Sequence, residues 1–384
     1  MTVAIVHDYL TQRGGAERVV LSMLRAFPNA PVYTSFFDPD RTFPEFATAD
    51  IRPLRLNRLA ILRRRHRLAF PFLAQSFSSL EVDADVVLCS SSGWAHGVGT
   101  PSAKIVYCHS PARWLYEPER YWGGSTQMVP RLALAAARPR LLRWDRRAAG
   151  ASTRYLTVSQ AARAKIHRAY GIDPEVVYPP PGLTVDGPEQ EVEGLGPGYY
   201  LCVARMLAYK NISAVIDAFA GFGERRLVVV GAGPEARRLR RSAPGNVRFL
   251  GAVSDAHLRW LYANAAAVVS AAYDDLGLTP LEAASFAKPS IALRAEGSLE
   301  TVLDGETGVF FDAPSADAIR AAVERASSRR FDERALRTHA LRFSEAEFIS
   351  RLRAVVAEAA AVPQNGHRTP VPPDFAHAAN QARA

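Results

Sequence analysis

Two cations in one short loop carry the strongest chemical signal in the sequence. Arg205 and Lys210 stand five positions apart in Cys202-Val203-Ala204-Arg205-Met206-Leu207-Ala208-Tyr209-Lys210-Asn211. A planar guanidinium and a mobile ammonium together suit a diphosphate, although two solvated surface charges are the plainer alternative. Lys210 is one of only four lysines in a chain whose cations are otherwise arginine. A second loop, Tyr273-Asp274-Asp275-Leu276-Gly277-Leu278-Thr279-Pro280-Leu281-Glu282, presents the backbone N–H groups of Gly277, Leu278 and Thr279 at a helix start. Glu282 in that helix suits a ribose diol, because a carboxylate accepts two hydroxyl hydrogen bonds, and Asp274 suits a sugar hydroxyl. Glu282 can equally be a helix N-terminal acid favoured by the dipole. Near the start, Gly14-Gly15 follows a strand and opens a helix, an arrangement for close backbone approach to an anion or simply a tight turn.

These loops need elements to hold them. Short apolar runs alternate with helix-period segments, the pattern of parallel sheets with crossover helices. Val3–Val6, Pro31–Phe36, Asp85–Cys89, Lys104–Cys108, Tyr155–Val158 and Glu175–Tyr178 read as a first strand series. Tyr199–Val203, Leu227–Val230, Val247–Leu250, Ala267–Ser270, Ser290–Leu293 and Val309–Phe311 read as a second. Arg205, Asp274 and His109 each follow one of these runs, and open α/β sheets bind ligands at the carboxyl ends of their strands. Ala16–Phe27 and Ser159–Tyr170 read as helices, the latter with Ser159 as N-cap. Pro179-Pro180-Pro181-Gly182 and the polar stretch to Gly198 read as a linker. The expected fold class is α/β: two Rossmann-like domains facing across a cleft, with the C-terminal helix packing back on the first. The expected divisions are 1–183, 184–343, a returning helix over 344–361 and a disordered tail over 362–384.

The stretch Asp274–Gly308 resembles the nucleotide-sugar signature of the family 4 retaining glycosyltransferases of the GT-B fold. That signature has an acid, seven intervening positions and Glu, then a Lys-Pro pair, a glycine-containing turn, an acid before Val, and Gly-x-Thr-Gly. The chain supplies Asp274 and Glu282, Lys288-Pro289, Glu296-Gly297-Ser298, Glu300-Thr301-Val302 and Gly305-Glu306-Thr307-Gly308. Arg205 with Lys210, Gly14-Gly15 and Tyr107-Cys108-His109-Ser110-Pro111 also match, so the resemblance spans about residues 1 to 350 in order. It implies that Arg205 and Lys210 neutralise the donor diphosphate and support the leaving group. It implies Glu282 on the ribose, Asp274 on the donor sugar, and Gly14 and Gly15 beside phosphates or acceptor. It places His109 at the anomeric centre, where the plainer reading of a lone histidine is structural. The chain departs from the pattern twice: Asp274 stands where Glu is usual, and Glu296-Gly297 where two glycines are usual. His7-Asp8-Tyr9-Leu10 and the segment from His109 through Arg113 to Tyr116 look most like bacterial mannosyltransferases of polysaccharide assembly. The resemblance therefore points to GDP-mannose as donor, with a GDP- or UDP-linked sugar as the wider class, and to a glycan or lipid-linked acceptor. No carboxylate stands out as a covalent nucleophile, which favours front-face transfer assisted by the leaving diphosphate.

No cofactor and no metal are expected; Asp38-Pro39-Asp40 reads as a turn rather than a metal-holding acid pair. Gly231-Ala232-Gly233 lacks the third glycine of a dinucleotide fingerprint, with Ala236 in its place, which disfavours a dehydrogenase. A sugar-nucleotide epimerase and a transferase-like subunit that binds nucleotide without turnover remain as alternatives. The formal net charge of +9 suits an anionic partner, or reflects an arginine-rich composition. Seven arginines between Arg52 and Arg67, interleaved with Leu54, Leu56, Leu59, Ile61 and Leu62, suit an anionic membrane surface or a solvated helix face. A second run, Arg138 to Arg147 around Trp144, can join it. No nucleic-acid motif is present. No signal peptide or 18-residue apolar run is seen, and three scattered cysteines suit reduced thiols. The expected location is cytoplasmic, with peripheral association at the inner face of the cell membrane.

Overall fold

The computed structural model describes residues 1–64, 66–122 and 128–361. Strands β1 (Val3–His7), β2 (Val32–Thr34), β3 (Ile51–Pro53), β4 (Val86–Ser91), β5 (Ala103–Cys108), β6 (Arg154–Thr157) and β7 (Glu175–Val176) form one sheet in the order β3-β2-β1-β4-β5-β6-β7. Strands β8 (Tyr199–Val203), β9 (Leu227–Val230), β10 (Val247–Gly251), β11 (Ala265–Ser270), β12 (Ser290–Leu293) and β13 (Gly308–Phe311) form a second, in the order β10-β9-β8-β11-β12-β13. Every pairing is parallel. Parallel strands require crossovers that cover both faces, which explains why β1, β4 and β5 are buried at every residue. The fold is α/β with two Rossmann-like sheets, as the sequence pattern predicts.

Each sheet reverses its strand order once, between β1 and β4 in the first and between β8 and β11 in the second. Loops leaving the carboxyl ends of those strands splay apart and leave a crevice. The loops after β1, β5, β8 and β11 carry Gly14, His109, Arg205 and Asp274 respectively.

The helix Glu345–Ala361 returns to the first sheet. Its Phe348, Leu352, Val355 and Val356 are buried in the same cluster as Ile5, Val20, Leu88 and Tyr107. Phe348 meets Tyr107 edge-on at 5.7 Å, and Arg353 donates to the Ala26 carbonyl at 3.0 Å. Leu276 and Leu281 of the second half join this cluster too, so the two halves share apolar packing. The connecting stretch from Gly182 to Gly198 is largely exposed but anchored, with Leu183, Val192 and Leu195 buried against the second sheet.

The basic stretch after Arg52 is not one helix. It begins as the edge strand β3 and continues through short turns of helix, Arg55–Arg58, Ala60–Arg64 and His66–Ala69, to the helix Phe70–Ser78. Leu59, Ile61, Leu68 and Phe72 are exposed beside exposed Arg55, Arg58 and Arg64, while Arg65 and the side chain of Arg67 lie outside the described residues. In the second basic run Trp144 packs inward, 5.8 Å from Trp94, and its N–H reaches Ser78 at 2.8 Å. The tail expected to be disordered, 362–384, also lies outside the described residues. Among those described, no helix is long and apolar enough to cross a membrane. All three cysteines are free and buried, and burial pushes Cys89 and Cys202 up to about 12.

Candidate active site

The loop after β8 is pinned from the side by two glycines. A Cβ on Gly231 would lie 2.0 Å from the Ala204 carbonyl oxygen, and one on Gly233 2.5 Å from that of Met206. Only bare backbone fits there. Met206 N–H donates to the Ala232 carbonyl at 2.9 Å and its side chain is fully buried, so Arg205 between two fixed residues points into the crevice. Arg205 forms no ion pair among the described residues. Lys210 does: its Nζ lies 2.6 and 2.8 Å from the two carboxylate oxygens of Asp274. Burial works to lower the Lys210 ammonium, but Asp274 outweighs it and the net shift is upward. The structure thus brings Lys210 and Asp274 into one ion pair.

Gly277 holds φ +83 and caps the helix Leu278–Ser285, a left-handed position that glycine adopts without strain. Glu282, one turn into that helix, accepts from Tyr262 Oη at 2.6 Å. Its other oxygen faces Gly182, where a Cβ would come within 2.7 Å. Burial raises the Glu282 carboxyl, against the pull of these donors and of Arg18. Thr279 Oγ1 donates to the Val203 carbonyl at 3.3 Å, joining this helix to the end of β8.

Asp275 turns the other way, toward the first domain. Arg113 donates to it, Lys165 Nζ stands 2.8 Å from it, and Ser159 Oγ donates to its carbonyl. Burial would raise Asp275, yet the two cations hold it below the usual carboxylate range. Lys165 also reaches Glu296 at 2.9 Å, and Arg120 reaches Glu296 at 2.9 Å. Asp275 and Glu296, the second of which departs from the family pattern, are therefore committed to contacts across the crevice, whereas Asp274 pairs with Lys210 within its own domain.

On the first domain, the helix Gly15–Ala26 starts at Gly14. A Cβ on Gly15 would lie 2.9 Å from Leu278 Cδ1, so two helix starts, one from each domain, meet here. Arg18 on that helix grips both Asp255 oxygens at 2.7 and 2.6 Å. His109, just past β5, donates its N–H to the Ser91 carbonyl at 2.9 Å, and its Nε2 lies 2.8 Å from Ser90 Oγ. Burial, with help from His7, pushes the His109 imidazole down to about 3.

All ten residues singled out from the sequence line one cleft of about 980 Å³: Gly14, Gly15, His109, Arg205, Lys210, Asp274, Gly277, Leu278, Thr279 and Glu282. Sequence reasoning missed Tyr262, which lies on another helix with no local pattern tying it to Glu282, and Lys165, which reaches Asp275 over 110 positions. It noted Arg113 only within the resemblance. No group of three or more His, Cys, Asp or Glu is placed to hold a metal ion among the described residues.

Residues 13–183 match the family described as Glycosyltransferase Family 4, and residues 188–342 match Glycosyl transferases group 1. The chain is 31% identical over 189 residues to the D-rhamnosyltransferase WbpZ of Pseudomonas aeruginosa, covering 46% of this chain and 49% of that protein. It is 28% identical over 193 residues to a GDP-mannose-dependent alpha-(1-6)-phosphatidylinositol monomannoside mannosyltransferase of Mycolicibacterium smegmatis, covering 43% of this chain and 50% of that one. The chain thus spans about half the length of the curated relatives it matches. Among solved structures, Anabaena HepE in complex with UDP-glucose superposes with a TM-score of 0.69 at 17% identity, over 93% of this chain and 100% of that one. WaaG, a glycosyltransferase involved in lipopolysaccharide biosynthesis, superposes with a TM-score of 0.64 at 16% identity, over 92% and 99%. At these identities the two superpositions speak for the fold.

Proposed function

Because the chain belongs to the family 4 glycosyltransferases of the GT-B fold, we propose that it transfers a sugar from a nucleoside-diphosphate donor to a glycan or lipid-linked acceptor of cell-surface polysaccharide or glycolipid. One observation carries this reading: Arg205, Lys210 and Glu282 line the same cleft as Gly14, Gly15 and His109. A diphosphate between Arg205 and Lys210, with its ribose on Glu282, sets the sugar against Asp274 and its anomeric carbon near His109. The diphosphate then competes with Asp274 for the Lys210 ammonium and frees that carboxylate for a sugar hydroxyl. The backbone N–H groups of Gly277, Leu278 and Thr279 add donors at the helix start.

Transfer proceeds with retention, on the front face. The bond from the anomeric carbon to the phosphate oxygen breaks, the acceptor oxygen attacks from the same side, and its proton passes to the departing phosphate. Arg205 and Lys210 stabilise the charge that develops on that phosphate, the part a metal ion plays elsewhere. The donor assignment is GDP-mannose, supported by the GDP-mannose-dependent mannosyltransferase among the relatives. Exposed Leu59, Ile61, Leu68 and Phe72 beside Arg55, Arg58 and Arg64 support peripheral contact with an anionic membrane, where a lipid-linked acceptor resides.

Thermal shift against GDP, UDP and ADP and their sugars tests the reading on the wild type and Lys210→Ala. One guanosine or uridine diphosphate is expected to stabilise the wild type, and Lys210→Ala is expected to lose most of that shift. Release of free nucleotide in the presence of extracted lipid-linked acceptor separates turnover from binding alone. The tight Lys210–Asp274 pair is the feature that favours a binding-only subunit, and a saturable shift without any release would establish that instead.

A further inference from the structure

Three residues stand in line behind His109, and the transfer chemistry above gives them no task. The Ser90 hydroxyl lies 2.8 Å from His109 Nε2 and 3.0 Å from His7 Nδ1. His7 Nδ1 is also 3.1 Å from the Ser90 carbonyl oxygen. On the far side of the ring, His7 Nε2 faces Glu17 Oε1 at 3.9 Å, and Gln12 donates to the same oxygen at 2.8 Å. His7, Ser90 and Glu17 are 2%, 0% and 1% exposed. Glu17 Oε2 and His7 Nε2 are buried with no hydrogen-bond partner among the described residues. A solvated or adventitious contact does not look like this; three polar side chains have been taken out of water in sequence behind a half-buried fourth.

The protons in this line can be assigned by elimination. A carbonyl oxygen only accepts, so His7 Nδ1 carries a hydrogen and directs it at the Ser90 carbonyl and hydroxyl. The Ser90 hydroxyl is then already an acceptor, and its own hydrogen has one acceptor in reach, His109 Nε2. A buried hydroxyl hydrogen is not left unmade where an acceptor stands at 2.8 Å. His109 Nε2 therefore accepts, and the hydrogen of its neutral ring sits on Nδ1. That nitrogen meets no hydrogen-bond partner among the described residues, and His109 lines the cleft. The Glu17 carboxylate needs a countercharge at that depth, and the facing ring of His7 supplies it by taking a second proton on Nε2. Burial alone would lower His7, but Glu17 outweighs it and the net shift is upward, while Glu17 is held low by His7 and Gln12 against its own burial.

We propose that Glu17, His7 and Ser90 are positioning residues that lock His109 in its neutral Nδ1–H form, so that it offers the transferred sugar a fixed hydrogen-bond donor and not a base. The proposal rests on the cleft taking a nucleotide sugar. The charge on His7 keeps a second proton off His109, and Glu17 keeps that charge in place. The sugar atom that accepts is a hydroxyl or ring oxygen, the acceptors a hexose presents to a donor at this height in the cleft.

Nitrogen NMR of the full chain labelled in its nine histidines reads the ring forms directly, with His109 assigned from His109→Gln. The wild type is expected to show His109 as Nδ1–H and His7 carrying both ring protons. Ser90→Ala is expected to release His109 into a mixture containing Nε2–H, while Ser90→Thr keeps the wild-type form. His7→Asn, which retains an N–H donor in the Nδ1 position, is expected to keep it as well, and His7→Leu to lose it. In donor turnover, Ser90→Ala is expected to lose about tenfold in kcat, the size of one neutral hydrogen bond, with the donor KM changed less than about twofold. Should Ser90→Ala fail to fold, Glu17→Gln decides the matter, because His7 must then give up its second proton. An Nε2–H signal for His109 in the wild type overturns the proposal, as does a doubly protonated His7 in Glu17→Gln or an unmoved His109 in a folded Ser90→Ala. If no nucleotide sugar is turned over by the wild type, the proposed function fails, and the histidine spectra still decide the relay.

Discussion

Glu282 shows how a ligand site can oppose the stability of its own fold. Its carboxylate is drawn out of water, and two neighbours, the Tyr262 hydroxyl and the Gly182 backbone, satisfy it only in part. The folded pKa is raised by burial, so the contribution to stability is full below the ordinary glutamate value and is lost as pH rises through the folded one. Glu282→Gln removes the buried charge while keeping an oxygen for Tyr262 and Gly182. Its melting temperature is expected to exceed that of the wild type at pH 7, and the gap is expected to close as pH falls below the glutamate range. On the proposed function, nucleotide affinity is expected to fall about tenfold, because the acceptor assigned to the ribose becomes neutral. A variant that is less stable than the wild type at neutral pH would contradict this account. The residue types were legible in the sequence: Lys210 stood out among four lysines, and Glu282 lay eight positions after Asp274. Their partners were not. Tyr262 lies twenty positions from Glu282 on a different helix, and its ring stacks on Phe286 at 5.4 Å, a contact set by tertiary packing alone.

Elements were read well where burial imposed a pattern. The strands of both sheet centres are continuous apolar runs because parallel strands are covered on both faces. Ser159 accepts from Ala162 N–H at 2.9 Å, the N-cap that its position before a helical run implies. The edge strand β3 escaped because three residues, Ile51-Arg52-Pro53, carry no alternation and two of them are exposed. Its basic neighbours suggested a helix face where the chain makes four short pieces instead. The glycines at 231 and 233 looked like a broken dinucleotide turn, whereas their work is to let one loop lie on another. Gly231 holds φ +128 with the Ala204 carbonyl 2.0 Å from its missing Cβ. Gly231→Ala is therefore expected to cost about 1–3 kcal/mol in chemical denaturation and to weaken nucleotide binding by displacing Arg205. Gly245→Ala serves as control, since nothing lies within 4 Å of its Cβ and its φ is ordinary; it should change neither. Equal effects from the two variants would show that the Arg205 loop does not depend on that contact.

At the scale of the whole molecule, charge pairs span the cleft on two sides of the apolar contact between the domains. Asp275 and Glu296 of the second domain meet Arg113, Arg120 and Lys165 of the first. Glu300 of the second domain accepts from the free N–H groups of Gln160 and Ala161 at 2.9 and 3.1 Å, capping a first-domain helix from outside, and also takes Tyr178 Oη at 2.8 Å. Arg18 and Asp255 close the opposite side. These contacts hold His109 on one wall of the cleft and Arg205 and Asp274 on the other, so the width of the cleft depends on them. Asp275 is the keystone because two cations converge on it while it is largely buried. Its folded pKa lies below the ordinary aspartate value, held there by Arg113 and Lys165 against burial. The stability it lends is therefore present above the aspartate range and is lost as pH falls through the depressed folded value. Asp275→Asn leaves Arg113 without its carboxylate and is expected to cost about 3 kcal/mol at pH 7, a difference from the wild type that vanishes in acid. Small-angle scattering should show a larger radius of gyration for Asp275→Asn, reproduced in the wild type by high salt, because the half-exposed pairs at Arg120 are screened first. On the proposed function, nucleotide binding is expected to survive in Asp275→Asn while turnover falls, since the proposed diphosphate and ribose contacts lie on the second domain and an open cleft would hold the donor away from His109. A variant that stays compact and turns over at the wild-type rate would mean that closure is set by the shared apolar packing around Leu276 and not by charge.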